Sequence, residues 1–218
     1  MRFADRRDAG RRLAAALLRY REEQPVVLAL PRGGVPVGFE IATALGAHLD
    51  IILVRKLGAP GQPELGVGAV ADGDDPQGVF NEDLVRALGV TQGYLDRELQ
   101  RQLEEIRRRR ERYRGDRPGP EVRGRTAIVV DDGLATGGSM RAALRSVRRG
   151  HPARLVLAVP VAPPDTLASL QSEADEVVCL STPEDFGAVG RFYDDFTQTT
   201  DEEVIRLLEA ARGEPSGS

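Results

Sequence analysis

The sequence predicts an α/β fold: a five-stranded, mainly parallel sheet with helices on both faces. Three observations carry that prediction. Short continuous runs of Val, Ile and Leu recur along the chain, as strands buried on both faces require. Segments with helical periodicity and capping residues separate most of these runs, the alternation that a helix-covered parallel sheet produces. Hydrophobic residues make up 41% of the 218 positions, enough for one substantial core.

The chain opens with the charged stretch Met1 to Arg7, leading into an amphipathic helix over 5–20 that carries Leu13, Leu17 and Leu18. Strand-type runs follow at Val26–Leu30, Ile51–Val54, Val67–Val70, Thr126–Val130, Leu155–Val159 and Val177–Leu180. After the first, Pro36 suits a first helical turn and Gly46 a C-cap, giving a helix to Leu45. After the fourth, Met140, Ala143, Leu144 and Val147 fall on one helical face, and Gly150 closes the helix. A long charged helix spans 91–114 and stops before Gly115, Pro118 and Pro120. A last helix spans 201–211, with Thr200 and Glu203 spaced as a capping box. These boundaries make one domain over 1–212: a core of about 26–180, a helical insertion of about 81–121 and a C-terminal segment of about 181–212. Residues 213–218 read as a disordered tail.

Composition narrows the function. A net charge of -4 gives no global attraction to nucleic acid or acidic membranes. The single cysteine, Cys179, excludes an intrachain disulfide, and His48 and His151 lie too far apart to build a zinc site with it. No apolar stretch approaches the length of a signal or membrane-spanning segment, so a cytoplasmic protein is expected. Of the 30 basic residues only Lys56 is lysine. A coding bias toward arginine explains the ratio; a lysine that survives it is a candidate for work arginine cannot do.

The segment Val129-Val130-Asp131-Asp132-Gly133-Leu134-Ala135-Thr136-Gly137-Gly138-Ser139 runs from a buried strand, through two acids, into a turn that starts a helix. Free backbone N–H groups at that helix start make an anion site, and the glycines let a phosphate approach. An acid pair at a strand's end suits a vicinal diol or a hydrated cation. Acids beside a phosphate cradle repel the ligand unless sugar hydroxyls or a metal lie between, and a sugar phosphate resolves that conflict. The spacing is not a Walker A loop, since Ser139 follows Gly138 with no lysine, and no G-x-G-x-x-G turn follows the first strand.

This stretch resembles the 5-phosphoribosyl-1-pyrophosphate (PRPP)-binding motif of type I phosphoribosyltransferases, in the version closest to adenine phosphoribosyltransferases. The resemblance implies that Asp131 and Asp132 hold the ribose hydroxyls, while Ala135, Thr136, Gly137, Gly138 and Ser139 hold the 5′-phosphate. Leu30-Pro31-Arg32-Gly33-Gly34 resembles the family's pyrophosphate loop, which often contains a non-proline cis peptide. Arg55-Lys56 then sits where the family places basic residues toward pyrophosphate, although a solvated strand-end charge is the alternative for Lys56. Leu57–Gly66, rich in Gly and Pro, corresponds to a flexible lid or to a passive surface loop. The aromatic cluster of Phe186, Phe192 and Tyr193 resembles loosely the hood of purine phosphoribosyltransferases, with a hydrophobic plug as the equal alternative.

The arginine run Arg107–Arg114 reads as a nucleic-acid stripe or, better, as a solvated helix face or subunit contact, because acids are interleaved with it. Ala135 stands where purine-specific members carry an acid, and the lysine that reads a 6-oxopurine is missing from Ala158–Asp165, which argues against hypoxanthine or guanine. The resemblance implies a Mg²⁺-dependent transfer from PRPP to a nitrogen acceptor, in a homodimer. Arg32, Lys56, Asp131 and Asp132 would then be the catalytic set. A PRPP-sensing regulator that binds RNA or DNA through the 91–114 helix is the main alternative, and a ribose-phosphate phosphatase or kinase a third.

Overall fold

A computed structural model describes residues 1–73 and 76–213. Beyond Gly213, the expected disordered tail lies outside the described residues. Helix α1 (Arg6–Leu17) precedes β1 (Val26–Ala29), α2 (Gly34–Leu45) and β2 (His48–Ile51). A hairpin region follows: β3 (Val54–Ala59), β4 (Gln62–Ala71) and β5 (Gly78–Phe80). Next come α3 (Glu82–Ala87), α4 (Gln92–Arg114), β6 (Thr126–Val130), α5 (Gly138–Arg149), β7 (Arg154–Val161), α6 (Pro164–Leu170), β8 (Glu176–Ser181) and α7 (Asp201–Ala211).

The five-stranded sheet runs β2-β1-β6-β7-β8, and every neighbouring pair is parallel. Side chains alternate across it, so Val27, Ala29, Ile128, Val130, Val156 and Ala158 pack on one face with α1, α2 and α7. Val26, Leu28, Val129, Leu155, Leu157 and Val159 pack on the other with α5 and α6. Both faces of the central strands are buried, which is why β1, β6 and β7 read as unbroken hydrophobic runs, while the edge strand β8 is half-buried. Truncating a fully buried member such as Ile128 to Ala typically costs about 2–5 kcal/mol.

Two sequence expectations need correction. The run Ile51–Val54 is not one strand: β2 ends at Ile51, and Val54 begins β3 in a separate antiparallel sheet ordered β3-β4-β5. The segment Leu57–Gly66 is not a loop either. It forms the paired end of the β3–β4 hairpin, reversing at Pro60-Gly61 where Gly61 has φ 70°. Gly58 in this segment and Gly68 just beyond it serve close strand approach: a Cβ on Gly58 would stand 2.7 Å from the Pro63 carbonyl oxygen, and one on Gly68 2.5 Å from that of Val79. Read without neighbours, such glycines look like loop residues.

Helix α4 is capped by Thr91, whose hydroxyl accepts from the Tyr94 N–H. Its apolar residues Leu95, Leu103 and Ile106 join the first core. Its last residue, Arg114, is buried and paired with the buried Asp50 at 3.0 Å, and also donates to the Ile51 carbonyl. Breaking such a buried pair from one side typically costs about 3–5 kcal/mol. The insertion is therefore strapped to the sheet edge at β2 and runs beside the carboxyl ends of the strands.

Candidate functional site

The carboxyl ends of β1 and β6 meet. Leu30 N–H bonds the Val130 carbonyl at 2.9 Å, which brings the turn before α2 against the turn before α5. Ligands in open α/β sheets bind at such strand ends. In the first turn the Pro31–Arg32 peptide is cis, as the resemblance implies. Gly33 and Gly34 are glycines for a steric reason. A Cβ on Gly33 would come 2.0 Å from Asp132 Oδ2, and one on Gly34 2.8 Å from the Val130 carbonyl oxygen.

The second turn carries Asp131 and Asp132. Asp131 Oδ1 accepts from the Asp132 N–H at 2.8 Å. Burial pushes the Asp131 carboxyl well above the usual carboxylate range, and the neighbouring Asp132 charge pushes the same way. Burial raises Asp132 as well, opposed by the Arg6 guanidinium. Arg6 Nε donates to Asp132 Oδ2 at 2.7 Å, its Nη1 donates to the Thr197 carbonyl at 2.7 Å, and its guanidinium lies 3.9 Å from the Phe196 ring centroid. Two recessed acids thus share one cation. Beyond them, Gly137 (φ 75°) precedes the first residue of α5, and the Thr166 hydroxyl donates to the Ala135 carbonyl at 2.7 Å. The amides opening α5 have no acceptor within the helix and are available to an anion.

Two cavities flank this junction. The larger, about 760 Å³, is lined by Arg6, Pro31, Arg32, Gly33, Asp132 and Phe196, and across from them by Arg109 and Arg112 of α4. The other, about 520 Å³, is lined by Thr136, Gly138, Ser139 and Arg141 of the β6–α5 turn and helix, and by Lys56, Gly66 and Gly68 of the hairpin. Asp132, Arg32 and Gly33 are therefore brought together, and so are Thr136, Gly138, Ser139 and Lys56. Lys56 is not grouped with Arg32 as expected. It lies on β3, an element of the second sheet, and that sheet carries it to the cavity of Thr136, Gly138 and Ser139.

The aromatic cluster also sits differently. Phe186 and Tyr193 are 8% and 3% exposed and close a third core with Phe3, Ala9 and Val161, with Phe192 packed against it. The Phe186 and Phe192 centroids are 5.4 Å apart, as are those of Phe3 and Tyr193. These three residues fit the plug alternative rather than an acceptor pocket, because the last strand's exit folds back onto α1. Tyr193 supports the site from behind, its hydroxyl donating to the Asp132 carbonyl at 2.6 Å. The rings at the large cavity are Phe196, 37% exposed, and the buried Tyr113 of α4. Sequence reasoning missed Arg6, Phe196 and Asp201 as cavity residues. Phe196 follows the aromatic cluster by three residues, but nothing local to Arg6 announces a partner 126 positions away.

A family model described as the phosphoribosyl transferase domain matches residues 4–197, nearly the whole described chain. The chain belongs to the phosphoribosyl transferase family. Two Mycobacterium tuberculosis proteins (strains CDC 1551 / Oshkosh and H37Rv), both provisionally named phosphoribosyl transferases, are each 48% identical over 209 residues. The alignment covers 96% of this chain and 47% of each relative, so the chain spans about half the length of these curated relatives. Among solved structures, the protein TT1426 from Thermus thermophilus is 51% identical with a TM-score of 0.82, covering 95% of this chain and 98% of that one.

Within that family frame the acid pair, the Gly33-Gly34 turn and the start of α5 are the parts that the sequence resemblance assigned to ribose, pyrophosphate and 5′-phosphate. No helix among the described residues is long and apolar enough to cross a membrane.

Proposed function

We propose that the chain transfers the phosphoribosyl group of PRPP to a nitrogen atom of a nucleobase-like acceptor and releases pyrophosphate. One observation supports the reading: Asp132 lines the cavity of Arg32 and Gly33, buried Asp131 stands next to it, and the same turn leads into the start of α5, where Gly138 and Ser139 line the second cavity. A ribose spanning the two cavities would set its hydroxyls on Asp131 and Asp132. Its 5′-phosphate would meet Thr136, Gly138, Ser139 and Lys56, and its pyrophosphate Arg32, Gly33 and Gly34.

In the transfer, the bond from C1 to the pyrophosphate oxygen breaks, a bond from the acceptor nitrogen to C1 forms, and the proton of the acceptor N–H leaves to water or to the released pyrophosphate. Positive charge builds on the sugar between these events. Burial disfavours the ionised acid pair in the empty site, so a cationic sugar gains most from Asp131 and Asp132 when its charge is greatest. Arg32 acts on the other product, favouring negative charge on the departing pyrophosphate. An acceptor heterocycle would meet Phe196 at the large cavity, where its ring already carries the Arg6 guanidinium at 3.9 Å and stands 5.0 Å from the Tyr193 ring.

Among the described residues no group of three or more His, Cys, Asp or Glu is placed to hold a metal ion. A Mg²⁺ would therefore take most of its oxygens from PRPP and water, with Asp131 and Asp132 as the protein's share, and would neutralise pyrophosphate charge.

The test is pyrophosphate release from PRPP and Mg²⁺ across a panel of nucleobases, with Asp131→Asn/Asp132→Asn as the inactive control. Release with at least one acceptor, lost in the control, supports transfer. Tight PRPP binding with no release for any acceptor would reject transfer in favour of a PRPP sensor.

A further inference from the structure

The proposed transfer leaves the arginine run of α4 without a role. Glu105, Arg108, Arg109 and Arg112 fall at i, i+3, i+4 and i+7, and this one face of the helix lines the large cavity opposite Pro31, Arg32 and Gly33. The adjoining face, with Ile106 and Tyr113, is buried in the core, so the direction of the arginine face is set by packing.

The arginines are also held in place. Arg109 Nε lies 2.8 Å from Glu105, which Arg108 contacts as well. Arg112 Nη1 lies 2.6 Å from Asp201 Oδ2 and its Nη2 3.3 Å from Glu202. Asp201, at the start of α7, also accepts from the Tyr113 hydroxyl and stands 3.8 Å from Arg32 Nη1. One carboxylate thus ties the glycine turn to the insertion helix. A guanidinium has five N–H donors, and these contacts use only part of each set. Intrahelical Glu–Arg pairing alone is worth about 0.2–0.5 kcal/mol per pair and gives no reason for Asp201 to bridge two elements.

We infer that α4 is the cationic wall of the pyrophosphate subsite: Arg109 and Arg112, with Arg108 beside them, bind the diphosphate group across the cavity from Arg32 and Gly33. This rests on the PRPP reading and adds to it the part played by the insertion. It also explains how the subsite is furnished with positive charge although Lys56 lines the other cavity. Guanidinium forks match phosphate oxygens two at a time, which a lone ammonium does not. Glu105 and Asp201 are positioning residues that hold the forks extended before the ligand arrives.

The experiment is calorimetric titration of the full chain with PRPP, inorganic pyrophosphate and ribose 5-phosphate. Arg109→Gln/Arg112→Gln should lose about tenfold or more in affinity for PRPP and pyrophosphate and keep its ribose 5-phosphate affinity. Arg109→Lys/Arg112→Lys, which keeps the charge but not the fork, should lose a smaller part of the same affinities. Arg97→Gln/Arg107→Gln removes two exposed charges of α4 that do not line the cavity, and should bind all three ligands like the parent. Pyrophosphate binding undiminished in a folded Gln or Lys pair would overturn the inference. So would an equal loss in the Arg97/Arg107 control, which would make the effect one of distant charge. A parent chain that binds pyrophosphate through Arg109 and Arg112 but neither PRPP nor ribose 5-phosphate would instead refute the phosphoribosyl reading and leave the anion-binding wall standing.

Discussion

Gly33→Ala separates binding from folding with a single methyl group. Gly33 has φ -61° and ψ -33°, a conformation alanine adopts without strain. The backbone effect is therefore neutral or stabilising by about 0.4–1 kcal/mol. The side-chain effect is opposite in sign and local: the new Cβ would sit 2.0 Å from Asp132 Oδ2, against 3.4–4 Å for ordinary contact. Asp132 is short and held by Arg6 at 2.7 Å, so the carboxylate must swing away rather than flex. Overpacking of this kind costs about 1–3 kcal/mol, which leaves the fold intact. Losing one charged hydrogen bond to the ribose costs about 1.5–3 kcal/mol, roughly 10- to 150-fold in affinity. Calorimetry with PRPP, beside a thermal melt, reads both quantities. A Gly33→Ala chain that melts like the parent and binds PRPP equally well would refute the placement of the Gly33 turn and Asp132 around PRPP.

Phe186→Ala should cost about 3–5 kcal/mol, because the ring is buried in the third core, and leave PRPP affinity within about twofold; a stable variant with weakened nucleotide binding would return Phe186 to the acceptor pocket. Lys56→Ala should weaken ribose 5-phosphate by about 1.5–3 kcal/mol and spare pyrophosphate, since Lys56 lines the cavity of Thr136 and Ser139. The opposite pattern in the same titrations would put Lys56 back beside Arg32. Asp72 is buried and its carboxyl is pushed up from 3.8 to about 6, chiefly by burial, while its Oδ1 accepts from the Leu53 N–H. The folded chain therefore binds its proton more tightly than the unfolded chain, and stability falls as pH rises from about 4 to about 6, by about 3 kcal/mol for this group. Asp72→Asn keeps the acceptor and should remove that part of the slope; denaturation curves at pH 4 and 7 with the same loss as the parent would exclude it.

Much of the architecture is local in origin and was legible from residue order alone. Strand β6, helix α4 ending at Arg114 before Gly115, and helix α7 with its Thr200 cap appear where the sequence pattern put them. The acid pair and the glycine turn before α5 were equally legible, because a strand end, two carboxylates and a helix start within eleven residues state their chemistry without distant partners. What only the tertiary structure decided depends on contacts between segments far apart in sequence. The hairpin of β3 and β4 looked like a loop, since Gly58 and Gly68 answer to the approach of another strand while Gly61 alone makes the turn. The aromatics after β8 looked equally fit for core or ligand, and the return of the chain onto Phe3 and α1 made Phe186 and Tyr193 core. Arg6 on Asp132, Lys56 beside the phosphate turn and the arginine face of α4 turned toward Arg32 each join residues tens to more than a hundred positions apart. Local propensity carries no record of such pairs, because they form only when the sheet brings its strand ends together.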